Sequence, residues 1–325
     1  MQAICLGCKK KLPLLSKLVA SGVYACECGR NIPYSSGIYR FVENDNFYEG
    51  RFTTTNQSQS MFHKYFSFVV RWLSIDGNEE RMWERSRRFI KSCTGGRKLE
   101  ILNIGAGGGH CFLSKLGSVT AIDISFKSLL NAQIIYDFCY QANATDLPFS
   151  DNAFDLVFSA HLLGHIPLNE KQIVIREICR VTKPGGFSLH SVECEANNYF
   201  YRRAKRYPEL YNKYFKDMYG HYGIEYPSQC KKRFRDESFE PIFEISDYCK
   251  GVIRPINSFK IFFGAKEYKE KDLILTVLAS ISELFSSNKP LTVITNILLY
   301  PFALINYLVG SDGVDSIKLL YRKPV

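Results

Sequence analysis

The 325-residue chain has no internal repeat and no low-complexity tract, and at 46% hydrophobic and 23% charged residues it is too apolar to be disordered. Its first residues, Met1-Gln2-Ala3-Ile4-Cys5, lack a basic stretch followed by an apolar run and a cleavage site. That predicts a chain without a secretory leader, resident in the cytoplasm. An even cysteine framework is missing too. The eleven cysteines are an odd number, most stand singly inside apolar patterns, and a reducing compartment keeps such residues as thiols or metal ligands rather than disulfides. Acidic residues are short, 32 against 42 Lys and Arg. The resulting charge of +10 suits nucleic acid, anionic lipid or an acidic substrate and does not choose among them. The length suits one large domain or two unequal ones.

The first region with its own composition is 1–43. Cys5-Leu6-Gly7-Cys8 and Cys26-Glu27-Cys28 are two cysteine pairs, and pairs on tight turns can present four thiolates tetrahedrally to a structural Zn2+. The plain alternative is four unrelated buried cysteines. A segment this short has little core of its own, so a bound metal would supply much of its stability; its expected role is scaffold rather than RNA capture. Residues 44–95 read as a linker, with a loop at Thr53–Ser58, followed by a helix from Glu79 to Lys91. Met82, Trp83, Phe89 and Ile90 form one face of that helix, and the arginines Arg81, Arg85, Arg87 and Arg88 form a solvated one.

From Leu99 short apolar runs alternate with helical stretches, the pattern of a doubly wound parallel sheet. Strands are expected at Leu99–Ile104, Val119–Asp123, Phe154–Phe158, Phe187–Val192, Pro241–Ile245 and Ser316–Tyr321, with helices near Glu170–Val181 and Gln229–Asp236. The turn Lys183-Pro184-Gly185-Gly186 leads into the fourth of these strands. The fold class is therefore α/β, Rossmann-like, with a mostly parallel seven-stranded sheet over 96–325 and insertions at about 196–227 and 250–313. The first strand runs into Gly105-Ala106-Gly107-Gly108-Gly109-His110, a turn that lets backbone approach a ligand. Asp123, at the tip of the next strand, can accept both hydroxyl hydrogens of a ribose. A dinucleotide fingerprint needs Gly or Ala where His110 stands, so an adenosine without a pyrophosphate fits better.

Asn103–Gly109, Ala121-Ile122-Asp123, Ala144–Phe149, Phe154–Val157 with His161–Ile166, and Val181–Gly186 occur in that order. Together they resemble the motifs of class I S-adenosylmethionine-dependent methyltransferases, in particular the branch that methylates quinones and small molecules. The resemblance implies S-adenosylmethionine as cofactor, held by Asn103, Gly105, Ala106, Gly107, Gly109, Asp123, Ile124, Asp146, Leu147 and Ser159. Asn103 departs from the pattern, because the family usually has an acid there. Cys5 to Val42, with Ile32–Ile38 after the last cysteine, resembles the zinc-ribbon modules found as activator subunits or N-terminal extensions of methyltransferases. That implies Cys5, Cys8, Cys26 and Cys28 as zinc ligands.

Methyl transfer from a sulfonium is an in-line displacement, which mainly requires an acceptor lone pair held near the methyl carbon in a dry cleft. A base helps if the acceptor is a hydroxyl or an acidic carbon. His161, just past the strand Phe154–Phe158, is the first candidate, and His221, in the tight segment ending at Glu225, is the second; His165 reads as a packed or capping residue. The insertion Asn197–Pro208 mixes tyrosines with cations and suits a nucleobase, a phosphorylated sugar or a polyprenyl phosphate, or else is a solvated basic helix. Leu291–Gly310 is twenty residues without a charge. It is either packed on the domain or dips into the inner face of a membrane to reach a lipid-linked acceptor. The expected function is methyl transfer to a small-molecule or lipid-linked acceptor. RNA base methylation, or a non-catalytic module with a degenerate site, is the alternative.

Overall fold

The computed structural model describes residues 1–43, 45–49, 78–197, 199–246, 267, 271–274, 276–277, 280, 311–313 and 315–325. The expected element at Leu291–Gly310 lies outside the described residues, as does the loop Thr53–Ser58. Among the described residues no helix is long and apolar enough to cross a membrane.

Near-continuous apolar runs make strands buried on both faces. Leu99–Ile104 is such a run, buried at every position except Glu100. In chain order the strands are β1 (Gly22–Ala25), β2 (Asn31–Ser35), β3 (Ile38–Arg40), β4 (Leu99–Ile104), β5 (Gly117–Asp123), β6 (Phe138–Gln141), β7 (Phe154–Ala160), β8 (Thr182–Glu193), β9 (Glu240–Ser246) and β10 (Ser316–Arg322). β4 pairs in parallel with β5 on one side and with β7 on the other, β5 continues to β6, and β7 continues to β8. β10 runs antiparallel between β8 and β9. These are the seven strands expected for 96–325, including β6, which the sequence reading did not assign.

The sheet does not end there. β1, β2 and β3 form an antiparallel meander, and β3 pairs in parallel with β6 through Tyr39 opposite Tyr140 and Arg40 opposite Gln141. Among the described residues the sheet therefore has ten strands, in the order β1-β2-β3-β6-β5-β4-β7-β8-β10-β9. The seven expected strands are present, and the cysteine-bearing segment adds β1–β3 to them and shares one core with the sheet. Ala3, Leu12, Ile32 and Tyr39 pack in the same apolar cluster as Ile122, Tyr140 and Phe149. The physical reason is that a forty-residue segment buries more apolar surface on an open sheet edge than it can enclose by itself. The turn at Lys183–Gly186 likewise falls inside β8, with a register shift opposite Phe154–Leu156 and Gly185 at φ +72°.

The helices are α1 (Asn78–Cys93), α2 (Cys111–Ser114), α3 (Phe126–Ala132), α4 (Leu168–Val181), α5 (Tyr199–Ala204), α6 (Pro208–Tyr211), which continues into a π-helical turn at Asn212–Asp217, and α7 (Pro227–Asp236). Ser125 caps α3 by accepting from Ser128 N at 3.2 Å. Of the apolar face expected for α1, Trp83 stacks on Phe112 and meets Phe158 edge-on and Ile90 is fully buried, whereas Phe89 is exposed and the Met82 side chain lies outside the described residues.

One buried ion group fixes the insertion after β8. Lys171, on α4 and fully buried, sits 3.1 Å from Glu225 Oε1 and donates to the carbonyl of Gly223, while Arg233 of α7 donates to Glu225 Oε2 at 2.8 Å. Gly223 N donates to Gly164 O at 3.0 Å, and a Cβ at Gly223 would lie 1.5 Å from Ile166 O, so only glycine allows this approach. Removing one partner from a buried ion group leaves an uncompensated charge. Lys171→Met is expected to lower stability by about 3 kcal/mol, read from denaturant midpoints.

Asp155, at the start of β7, accepts from Arg97 Nη2 at 2.8 Å, Glu100 N at 2.9 Å and Lys183 Nζ at 3.0 Å. Burial alone would push its carboxyl up, but the Arg97 hydrogen bond, the Glu100 amide and Lys183 hold it at about 2, below the ordinary 3.8. A carboxyl depressed in the folded state stabilises fully above its unfolded pKa and loses that contribution as pH falls towards the folded value. Acid unfolding of the wild type should therefore steepen between pH 4 and pH 2, and Asp155→Asn should remove about 2 kcal/mol of that slope in stability-versus-pH titrations.

Candidate active site

At the carboxyl end of β4 the chain leaves Ile104 through Gly105, Gly107 and Gly109, with φ of +64°, +52° and +92°. At Gly105 the left-handed φ favours glycine, and a Cβ there would also push on Leu162, 2.8 Å from its Cδ1. Asp123, at the end of β5, holds this turn: Oδ2 accepts from Gly107 N at 2.9 Å and Oδ1 from Ser125 N at 2.8 Å. Burial pushes its carboxyl up despite these amides. Asn103 is fully buried and donates to the Tyr136 hydroxyl at 3.0 Å; that hydroxyl also accepts from His110 N. The uncharged residue in the acid's place thus holds the glycine turn through Tyr136.

A cavity of about 890 Å³ opens over the carboxyl ends of β4, β5 and β7. That is the expected place for a ligand on an open parallel sheet, and the volume suits a nucleoside-sized molecule with room to spare. Of the residues singled out from sequence, Gly105, Ala106, Gly107, Asp123, Ile124, His161 and His221 line it. Asn103, Gly109, Asp146, Leu147 and Ser159 are not among its lining residues. Gly109 turns the chain against Ile135, and Leu147 is core, its amide donating to Glu177 at 2.8 Å. Asp146 gives way to Asn143 and Ala144, which do line the cavity. Ser159 is fully buried, with Oγ 2.7 Å from His190 Nδ1, while Ser188 meets the other ring nitrogen at 2.5 Å. Burial pushes His190 down to about 3, so Ser159 belongs to a neutral imidazole inside the sheet.

The opposite wall carries the second half of the site. His161 follows β7 directly in a left-handed conformation, φ +56°, a strained geometry for a non-glycine residue. Its Nδ1 is 3.2 Å from Glu193 Oε1. Glu193 Oε2 lies 3.8 Å from His165 Nε2 and 3.4 Å from His221 Nε2. Burial would raise the Glu193 carboxyl, but His161 and His221 outweigh it and hold the group far below the usual range. Burial pushes His165 down. The sequence reading missed Glu193 and undervalued His165; the available signal was an acid closing the apolar run of β8, as Asp123 closes β5. Glu225, at the end of the segment that carries His221, is the partner of Lys171 and Arg233.

Residues 45–49 were read as linker, yet Asp45, Phe47 and Tyr48 line the cavity. Glu49 accepts from Phe126 N at 3.1 Å and Lys127 N at 3.0 Å, which anchors the segment on the first turn of α3. Tyr48 donates to Gly220 O at 3.4 Å and meets His165 edge-on.

Away from the cavity the four N-terminal cysteines converge. Cys5 and Cys28 Sγ are 3.6 Å apart, Cys8 and Cys26 Sγ are 3.4 Å apart, and all four sulfurs lie within 4.8 Å of one another. A tetrahedron of thiolates about 2.3 Å from zinc has edges of about 3.8 Å, so the donor set fits that ion. Beside the first cysteine, Ile4 N donates to Pro148 O at 2.9 Å, and β3 ties the same segment to β6.

Among known proteins, the chain is 38% identical over 114 residues to malonyl-[acyl-carrier protein] O-methyltransferase of Buchnera aphidicola subsp. Baizongia pistaciae, covering 33% of this chain and 45% of that protein. It is 32% identical over 128 residues to the ubiquinone/menaquinone biosynthesis C-methyltransferase of Vibrio cholerae serotype O1, covering 34% and 47%. The chain thus spans about half the length of the curated relatives it matches. A solved Haemonchus contortus phosphoethanolamine N-methyltransferase 2, in complex with S-adenosyl-L-methionine, aligns over 90% of this chain and 62% of that one at a TM-score of 0.44 and 19% identity. Residues 102–189, from β4 into β8, match the family model described as a methyltransferase domain.

Proposed function

We propose that this protein is an S-adenosylmethionine-dependent methyltransferase acting on a small-molecule acceptor. The observation that carries the reading is the single cavity with a glycine turn and Asp123 on one wall and His161, Glu193 and His221 on the other. Asp123 would accept from the ribose hydroxyls, the backbone of Gly105–Gly107 would lie against the amino-acid portion, and Ile124 and Ala144 would flank the adenine. The bound cofactor supplies an electrophilic methyl group on a sulfonium sulfur. His161 would take the acceptor's proton, and Glu193, already ionised beside it, would stabilise the imidazolium that results. Phe47 and Tyr48 would keep water from the reacting centre.

We take a small acceptor over RNA, since part of the cationic surface is already paired: Arg87 and Arg88 with Glu84, Arg203 with Asp272, Lys205 with Glu195, and Arg235 with Glu244. The two relatives are named for a carrier-bound malonyl group and for quinone biosynthesis, which agrees with that choice. A lipid-linked acceptor draws on 291–310 alone. Residues 1–43 would form a zinc ribbon that supports the adenine side of the site through Ile4 and Pro148.

Calorimetric titration tests the cofactor half. Wild type should bind S-adenosylmethionine, and Asp123→Asn should weaken binding about 10- to 100-fold by losing a charge-assisted acceptor; no binding at millimolar cofactor overturns the reading. The ribbon is tested by metal analysis. One zinc per chain is expected, lost in Cys8→Ser, with a lower melting temperature after chelation, and a melting temperature indifferent to chelator counts against it.

A further inference from the structure

We propose that His165, Glu193 and His221 form a divalent transition-metal site facing the acceptor side of the cavity, distinct from the cysteine cluster. The inference rests on the acceptor pocket assigned above and deepens it by naming what the pocket recognises. Three separate segments deliver the groups: the loop after β7, the end of β8, and the insertion that Lys171 and Gly223 fasten to α4. One ligand atom from each falls within 4.8 Å of the other two.

The geometry is poor for hydrogen bonding and good for chelation. Glu193 Oε2 is buried and makes no hydrogen bond within the described residues, although His221 Nε2 is 3.4 Å away and His165 Nε2 is 3.8 Å away. Ligands about 2.0–2.1 Å from a tetrahedral metal stand about 3.4 Å from one another; His221 Nε2 and Glu193 Oε2 are already at 3.4 Å, and His165 Nε2, at 3.8 Å from the same oxygen, needs to move by only a few tenths of an ångström. The outer partners point the same way. His165 Nδ1 faces the carbonyl of Gly220 at 3.1 Å. A carbonyl only accepts, so Nδ1 carries the hydrogen and Nε2 presents its lone pair towards Glu193, the arrangement that orients a metal-binding imidazole. The other carboxylate oxygen of Glu193 is engaged by His161 at 3.2 Å, which leaves Oε2 aimed between the two remaining rings.

Two imidazoles and one carboxylate select zinc, cobalt, nickel or iron over magnesium and calcium. Three protein ligands leave coordination positions open towards the cavity, as catalytic metal sites do. The acceptor class that fits those open positions is one with two neighbouring oxygens, such as an enediol, a catechol or a hydroxy acid. The metal would lower the pKa of a coordinated hydroxyl, and His161 stands beside it to receive the proton.

The test uses the full chain with zinc retained in the cysteine cluster, titrated with Co2+ by calorimetry and visible absorption. One equivalent of cobalt is expected, with d–d bands and no sulfur charge-transfer band. It should weaken at least tenfold in His165→Gln, His221→Gln and Glu193→Gln, and remain in Cys28→Ser. S-adenosylmethionine titration of the same samples reports that each variant is folded. Cofactor binding without any cobalt equivalent, or a cobalt equivalent that survives His221→Gln, overturns the metal site while leaving the methyltransferase reading intact. Failure of the wild type to bind the cofactor overturns that earlier reading instead.

Discussion

The parallel pairing of β4 with both β5 and β7 is the constraint on which the rest of the molecule depends. Because these strands run the same way, their carboxyl ends leave the sheet along one edge, and the loops that follow must share the space above it. Asp123 is the last residue of its strand, and Gly105–Gly107 and His161 begin immediately beyond theirs. They are separated by tens of residues in sequence, yet the register brings them to one cavity. β8 adds Glu193 to the same edge by the same rule, since it too runs parallel to β7.

How much of this was legible in the sequence follows the range of the interactions. The central strands announce themselves locally, as apolar runs buried on both faces, and so does the glycine turn, whose positive φ values require the residue type written there. The placement of Asp123 followed from its distance beyond that turn. Contacts made across the fold were not legible. Ser159 reads like a polar residue at a strand end, but its neighbour across the β7–β8 ladder is His190, and the pair satisfies itself inside the sheet. Glu193 carried the opposite disguise, an acid at the edge of an apolar strand whose three histidine neighbours come from two other segments. Residues 45–49 had no periodicity to announce that Glu49 would anchor on α3 and bring Phe47 and Tyr48 over the cavity.

The N-terminal segment shows the same limit in another form. Its cysteine spacing is a local signal and read as a metal site, but its attachment is a long-range one. β3 extends the sheet beyond β6, and Arg40 donates to Gln141 at 2.7 Å across that junction. Gln141 in turn donates to Ile124 O at 2.9 Å, one residue past Asp123. The cysteine cluster is therefore joined to the Asp123 side of the cavity by short paths, through β3 and through the Ile4–Pro148 bond.

The two carboxylates facing one another across the cavity show why the walls differ in chemistry. Both are at strand ends and half-buried, yet their environments push them in opposite directions. Asp123 is surrounded by amides that orient it, and burial still raises its pKa, so it is an acceptor that resists a full exposed charge. Glu193 is surrounded by imidazoles that can each take a proton or a cation, and it is held firmly ionised. One pocket thus holds two carboxylates that differ by one methylene and that their surroundings shift in opposite directions. The sheet supplies the positions, and the neighbours at each strand end decide what each acid can do there.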